Sequence, residues 1–205
     1  AASDVYKRQN MVQGIITTLL DNPSNEETIA VLEVDEANLV RIGQNIKADY
    51  VIFTNIFRDQ MDRFGEIYNI FAKVMDGMKV MPKAKIIANG DLPIFNYDQM
   101  KDYNRSYFGI RDYQKASDSY DMDAEINSDG ILCPHCNHVL KYRLNNYSSL
   151  GDYACPNCDF KTPSIDYSID DIIKLDANYS EFKVGDELYQ VNIGGLYNVY
   201  NALAA

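Results

Sequence analysis

Long apolar runs are missing from this 205-residue chain. None approaches the about 18–20 residues that a membrane-spanning helix needs, so no transmembrane segment is expected. A basic start followed by an apolar stretch is missing too, and nothing argues for secretion. Basic side chains are in short supply: 19 Lys and Arg stand against 30 Asp and Glu, for a formal net charge of −11. A nucleic-acid surface needs clustered cations to displace the counterions of phosphates, so generic nucleic-acid binding is disfavoured. The pattern G-x-x-x-x-G-K-[ST], whose backbone amides and Lys hold nucleotide phosphates, occurs nowhere. Internal repeats and low-complexity tracts are absent as well. The remaining composition, 46% hydrophobic and 24% charged, is ordinary for a globular protein and excludes a disordered or collagen-like chain. A chain of this length forms one or two domains and buries about 70% of its unfolded surface.

The ends are unusual. There is no initiator Met, and Ala1 to Gln9 carry no apolar periodicity before they join a periodic segment abruptly. The last residues, Asn201 to Ala205, are mostly strong helix formers that stop without a cap. The expectation is an internal fragment with a foreign leader over residues 1–9.

From Asn10, a capping residue, Met11, Ile15, Thr18 and Leu19 fall on one helical face. Ile29 to Val34 is a near-continuous apolar run and reads as a strand covered on both faces. Ala37 to Ile46 reads as a helix, Tyr50 to Thr54 as a second buried strand, and Glu66 to Val80 as an amphipathic helix. Lys85 to Ala88 and Ser106 to Ile110 complete the strands. Strands alternating with helices imply βαβ units and a parallel sheet. From about Asp112 to Asp129 the chain turns polar, and the cysteines follow. Three β-like runs come after Pro163: Ile169 to Leu175, Ser180 to Val184 and Glu187 to Ile193, the last two joined by a Gly185-Asp186 hairpin turn. Gly195 to Ala205 begins a helix.

Cys133-Pro134-His135-Cys136 and Cys155-Pro156-Asn157-Cys158 form C-x2-C-x18-C-x2-C. Two residues between the members of each pair turn both thiolates toward one point, and two such knuckles complete the tetrahedron that Zn2+ accepts. Two disulfides or a redox C-x-x-C pair are the other readings; a chain without export signals is kept reduced, and paired knuckles fit a single redox motif poorly. Four sulfurs leave no open position, so this zinc is structural and holds a small ribbon with little core of its own. Leu132, Leu140, Tyr142, Leu144, Leu150 and Tyr153 are its expected mini-core. His135 and His138 are alternative ligands, read more simply as surface residues of the knuckle.

In open parallel sheets, ligands bind outside the carboxyl ends of the strands. Glu33 with Asp35 and Glu36, Thr54-Asn55 with Arg58 to Arg63, and Asn89-Gly90-Asp91 occupy those positions. Carboxylates gathered there suit Mg2+, a hard cation that bridges to nucleotide phosphates; solvated loop charge is the plainer reading.

The segments Val31 to Leu39, Thr54 to Arg63 and Gly195 to Ala205 resemble the central ATPase domain of the Mur ligase family, over roughly Asn10 to Ala205. The four-cysteine insertion resembles the branch of that family that amidates lipid II beside a GatD-like glutaminase subunit. The resemblance implies an α/β fold, a mostly parallel sheet carrying an inserted four-cysteine zinc ribbon. Its expected parts are the central domain over 10–128, with the phosphate loop missing, the ribbon over 129–165, and a return to the central domain over 166–205.

It also implies a ligase that uses ATP and Mg2+ to activate the D-glutamate α-carboxyl of lipid II as an acyl phosphate, amidated to D-isoglutamine in peptidoglycan synthesis. Such a protein is cytoplasmic and meets its lipid-anchored substrate at the inner membrane surface. Carried over by position, Glu33 is the magnesium-binding Glu, Asn55 meets phosphate or water, and Asn198 and Asn201 contact the adenine. Asp59 and Gln60 stand in a metal-binding motif that usually has His at the second place, which puts a second Mg2+ in doubt. Lys73 falls near a family Lys that can be carbamylated, and reads more simply as an exposed helix residue. Asn89 lines the nucleotide pocket. Catalytic residues are expected beyond Ala205, so this stretch alone is expected to be inactive. The alternatives are another Mur-type amino-acid or folate ligase, and a non-catalytic zinc-ribbon interaction module.

Overall fold

The computed structural model describes residues 12–21, 23, 29–56, 66–112, 115–123 and 131–205. The leader over 1–9, the Asn10 cap, and Asp59 and Gln60 with their motif lie outside these. In chain order the elements are α1 (Val12–Asp21), α2 (Leu39–Asn45), β1 (Tyr50–Phe53), α3 (Glu66–Lys79), β2 (Lys85–Asn89) and β3 (Arg105–Ile110). They continue with β4 (Met122–Asp123), β5 (Lys141–Tyr147), β6 (Leu150–Ala154), β7 (Tyr167–Ile169), β8 (Asp171–Leu175), β9 (Ser180–Val184), β10 (Glu187–Val191) and α4 (Leu196–Ala204). The chain divides into two units, Ala1–Asp49 with Tyr68–Ala84 and Tyr50–Ile67 with Lys85–Ala205.

In the first unit, α3 realises the helical spacing of apolar residues, whereas in α1 Ile15 is buried but Leu19, expected on the same face, is 44% exposed. Phe71, Val74, Met75 and Met78 bury one stripe of α3, while Lys73, Asp76 and Lys79 stay on its exposed side. Leu39 of α2 packs against Gly77 of α3. Asp35 caps the 3-10 turn Glu36–Asn38 before α2 by accepting the Ala37 N–H at 2.8 Å. The expected strand over 29–34 does not form. Those residues have no regular structure, and Ile29 and Val31 are 87% and 88% exposed. A short apolar run becomes a strand only when a neighbour takes its alternating N–H and C=O groups, and no described strand pairs with this one.

The second unit is built on a parallel four-stranded sheet in the order β1-β2-β3-β7. Ile86, Ala88, Ile110 and Ile169 are fully buried at its centre. Among the described strands β1 is an edge, and Tyr50 and Ile52 remain exposed rather than covered on both faces. The run read as one strand over 169–175 is two. Asp170 interrupts it: its carboxylate accepts from Ser168 and from the Gly185 N–H, and its own N–H turns to the Lys183 carbonyl. β7 therefore joins the parallel sheet while β8 starts the antiparallel sheet β10-β9-β8.

The third sheet, β4-β5-β6, belongs to the cysteine segment. Leu140, Tyr142, Leu144, Leu150 and Tyr153 are buried there as expected, whereas Leu132 is 39% exposed. Phe160 takes the remaining place, its ring stacked on Tyr153 with centroids 5.6 Å apart and edge-on to Tyr97. Through Tyr97 this small core runs into the 3-10 turn Pro93–Asn96 that follows β2, so the ribbon is no isolated appendage.

Candidate functional site

Two places in the second unit gather chemistry. The first is the carboxyl rim of the parallel sheet, where β1, β2 and β3 end side by side. Asn55, just past β1, accepts a hydrogen bond from the Asn89 amide at 3.2 Å. Asn89, at the end of β2, is fully buried, and its oxygen accepts the Asp91 N–H at 3.1 Å. Sequence-predicted Asn55 and Asn89 are therefore brought together.

Asp91 is the centre of this rim. The residue has 0% exposure, and its carboxylate accepts from the Arg111 guanidinium, from the Ile110 N–H at 2.8 Å and from the Tyr200 hydroxyl at 2.6 Å. A buried carboxylate needs such partners, because desolvation without them costs several kcal/mol in order of magnitude. Asn146 of β5 donates to the Tyr200 hydroxyl at 2.9 Å, and the Asp91 carbonyl accepts the Gly151 N–H of β6 at 3.0 Å. Gly109 is required beside it, since a Cβ there would stand 2.6 Å from a carboxylate oxygen of Asp91. Burial opposes the charge of Arg111, but Asp91 outweighs this and holds its pKa above the ordinary value. Burial first, and then the charge of Asp91, raise Tyr200 well above the usual tyrosine range, so its hydroxyl stays a donor. One guanidinium nitrogen of Arg111 and one carboxylate oxygen of the adjacent Asp112 are buried without a protein partner.

The amides assigned to adenine sit on α4. Gly195 opens that helix at φ 99°, a backbone that side-chain-bearing residues rarely adopt. Asn198 is half-buried and its amide nitrogen donates one hydrogen to the Gly194 carbonyl at 2.7 Å. Asn201 is exposed. Val199 and Tyr200 face inward, with Tyr200 1% exposed.

In the first unit Glu33 is solvent-exposed within the irregular 29–35 segment, and Lys73 is exposed on α3. Among the described residues, neither belongs to a group of three or more side chains placed to hold a metal.

The second place is the cysteine cluster. Tight turns present the sulfurs: Cys133 N–H bonds the His138 carbonyl, Asn137 N–H bonds the Cys133 carbonyl with Asn137 at φ 58°, and Cys155 N–H bonds the Phe160 carbonyl. All four sulfurs lie within 4.8 Å of one another, with Cys133–Cys158 and Cys136–Cys155 at 3.4 Å and Cys136–Cys158 at 3.7 Å. A tetrahedral zinc with bonds of about 2.3 Å has sulfur–sulfur edges of about 3.8 Å, so this donor set fits that ion. A disulfide needs about 2.05 Å, and all four cysteines are free. Burial pushes the Cys133 thiol up to about 12, while the His138 N–H aimed at its sulfur brings Cys136 down to about 6. His135 lies 3.2 Å from Asp98, with its ring edge-on to Phe160; His138 bonds the Cys136 carbonyl. His135 also forms a second candidate group with Cys158 and Asp159.

The Mur ligase middle domain family model matches residues 7–146. The chain belongs to the Mur ligase family. It is 44% identical over 198 residues to the MurT subunit of the glutamine-hydrolysing lipid II isoglutaminyl synthase of Streptococcus pneumoniae, an alignment covering 96% of this chain and 43% of that protein. The MurT subunit of Staphylococcus aureus is 30% identical over 199 residues, with the same coverage. The chain thus spans less than half the length of these relatives. Among solved structures, a pseudomurein peptide ligase type C from Methanothermus fervidus superposes with a TM-score of 0.55 at 27% identity, over 80% of this chain and 31% of that one. The mostly parallel sheet accords with this family membership.

Sequence reasoning identified Asp91 only as part of a loop after a strand. It did not find Arg111, Tyr200 or Asn146: Arg111 follows the apolar end of β3, but Asn146, beside Asn145 in the polar β5, carried no such mark.

Proposed function

We propose that this Mur ligase chain is the central part of an ATP-dependent amidoligase subunit acting on lipid II. The observation that carries the proposal is the 44% identity to the pneumococcal MurT subunit across nearly the whole chain. In this reading ATP transfers its γ-phosphoryl group to the α-carboxylate of D-glutamate, releasing ADP. Ammonia then attacks the acyl phosphate, and phosphate leaves as the amide of D-isoglutamine forms. A GatD-like glutaminase partner supplies the ammonia. The protein's share of such chemistry is positioning and charge stabilisation.

Residues 10–128 and 166–205 form the ligase central domain in this reading, and 129–165 the ribbon. Glu33 would hold Mg2+, with Asp59, Gln60 and Lys73 as further candidates; the ion would neutralise phosphate charge. Asn55 would meet phosphate, and Asn198 and Asn201 the adenine edge. An amide offers donor and acceptor together, and the oxygen of Asn198 with the exposed Asn201 amide supports this assignment. Asn89 acts one step back, by fixing the Asn55 oxygen. Cys133, Cys136, Cys155 and Cys158 would hold a structural Zn2+. In this reading the ligase meets its lipid-anchored substrate from the cytoplasmic side; no helix among the described residues is long and apolar enough to cross a membrane.

The test is reconstitution of the full reading frame with its glutaminase partner, lipid II, glutamine and MgATP. The expected product is amidated lipid II, formed in step with ADP, and Glu33→Gln is expected to cut ATP turnover at least about a hundredfold with the fold retained. ATP turnover that amidates a different acceptor points to another Mur-type ligase. No turnover with any acceptor points to a ribbon interaction module, and an undiminished rate in Glu33→Gln removes that residue from the site.

A further inference from the structure

We propose that Asp91 is a positioning residue, the joint through which the four-cysteine ribbon sets the order of the sheet rim and of α4. The proposal rests on the ligase reading only for what the rim binds.

Three attachments meet on this one residue. Its backbone N–H donates to Asn89, which in turn donates to Asn55, so the position of Asp91 fixes the loop that follows β2. Its carbonyl accepts from Gly151, and Asn146 reaches the same carboxylate oxygen at 3.5 Å, so both strands of the β5–β6 hairpin are tied to it. Tyr200 donates to that oxygen, setting the rotation of α4 so that Tyr197 and Asn201 face outward.

The hairpin is continuous with the cysteine cluster. Leu140 N–H bonds the Ile131 carbonyl beside the first knuckle, and Cys155 directly follows β6. Tyr142 and Tyr153, one from each strand, carry the same packed core to Phe160 beside Cys158. Asn146 donates both to Tyr200 and to the Ile110 carbonyl, so the hairpin, α4 and the end of β3 share one amide. Arg111, itself buried, neutralises the carboxylate and gives the joint one low-energy arrangement rather than several. Loosening the sulfur cluster therefore loosens the hairpin, and the hairpin releases Asp91, α4 and the Asn55–Asn89 pair together.

The experiment is hydrogen–deuterium exchange on the full-length protein as wild type, Cys136→Ser, Tyr200→Phe and the double variant. Cys136→Ser is expected to speed exchange about tenfold or more in 141–154 and, with it, in 89–92 and 196–204. Tyr200→Phe is expected to speed 196–204 alone. In the double variant α4 should exchange no faster than in Tyr200→Phe, because the link is already cut. If Cys136→Ser does not fold, Asn146→Ala carries the test, with about a fivefold faster exchange in α4 expected. A ribbon that loosens while α4 keeps wild-type exchange overturns the proposal, as do effects that simply add, or an Asn146→Ala protein with unchanged α4. In the reconstituted ligase, Tyr200→Phe should raise the KM for ATP about fivefold with kcat retained, a split that general destabilisation would not produce. A protein that shows the exchange coupling but binds no MgATP keeps the joint and loses the ligase reading; the opposite result removes the joint alone.

Discussion

The cysteine cluster and the Asp91 joint both gather chain segments around one point, but they do so by different means. The four sulfurs come from 26 consecutive positions and converge on a point suited to an ion from outside the chain. Asp91 gathers partners as far away as Tyr200, 109 positions on, and its counter-charge is the chain's own Arg111. A metal cluster adds binding free energy that exists only when the ion is bound. A buried ion pair adds little net free energy while intact, but loses a great deal when one partner is removed. A zinc-loaded cluster is thus expected to be sensitive to chelation and acid, and the joint to substitution and alkali.

The largest effect should be loss of metal. Structural zinc is worth on the order of 10–16 kcal/mol in zinc-finger peptides. One zinc per chain is expected by metal analysis, and none after Cys136→Ser or chelation. With Cys136 down at about 6 and Cys133 up at about 12, Cys136 is ready as thiolate at neutral pH in the metal-free protein, whereas Cys133 must release its proton to bind. Apparent affinity should therefore fall with acid, more steeply once the pH drops below about 6, where Cys136 is protonated as well. Unchanged zinc content in Cys136→Ser would erase the distinction between the two regions.

Next in size is Asp91→Asn. It keeps the shape and most hydrogen bonds but leaves Arg111 charged and 5% exposed. Removing one member of a buried pair costs about 3–5 kcal/mol. Urea unfolding of the metal-loaded protein should show a loss of that size. A protein as stable as wild type would mean that the joint is held by packing and not by charge.

The difference between the two regions also decides what could be read in advance. C-x2-C spacing is local, so the cluster was legible to the residue. β2, β3, α3, α4 and the β9–β10 hairpin were legible too, because each is announced by a period or a turn pair within its own length. Ile29 to Val34 has strand composition but no described partner, and composition does not supply one. The split at Asp170 was hidden because a single polar residue looks like ordinary alternation until Ser168 and Gly185 bond its carboxylate. Phe160 stands in a knuckle without periodicity, so nothing marked it as core. Asp91 was visible as a loop residue, but Arg111, Asn146 and Tyr200 are joined to it only by the completed fold. A buried polar network is long-range by nature, and its members look like surface residues in a linear reading.

The smallest effect sharpens the contrast from the alkaline side. Burial and the neighbouring Asp91 raise the Tyr200 pKa, and burial raises those of Tyr142 and Tyr153 in the same direction. A group whose folded pKa lies above its unfolded value, about 10 for tyrosine, stabilises fully below that pH. Its contribution is lost as the pH climbs through the folded value, since the unfolded chain gives up the proton first. The tyrosine contribution to the stability of the zinc-loaded protein should therefore hold to about pH 10 and then decline. Tyr200→Phe should lower the plateau by about 1.5–3 kcal/mol, the worth of a hydrogen bond to a charged group, and make the decline shallower. The cysteines, held as thiolates by metal in the folded state and titrating at about pH 8.5 in the unfolded chain, contribute equally to both proteins, so the Tyr200 effect is read as the difference between Tyr200→Phe and wild type at each pH. A Tyr200→Phe protein with the wild-type plateau and the wild-type alkaline slope would show that the hydroxyl bears no part of the joint, and that α4 is held against the sheet by Val199 and its apolar neighbours alone.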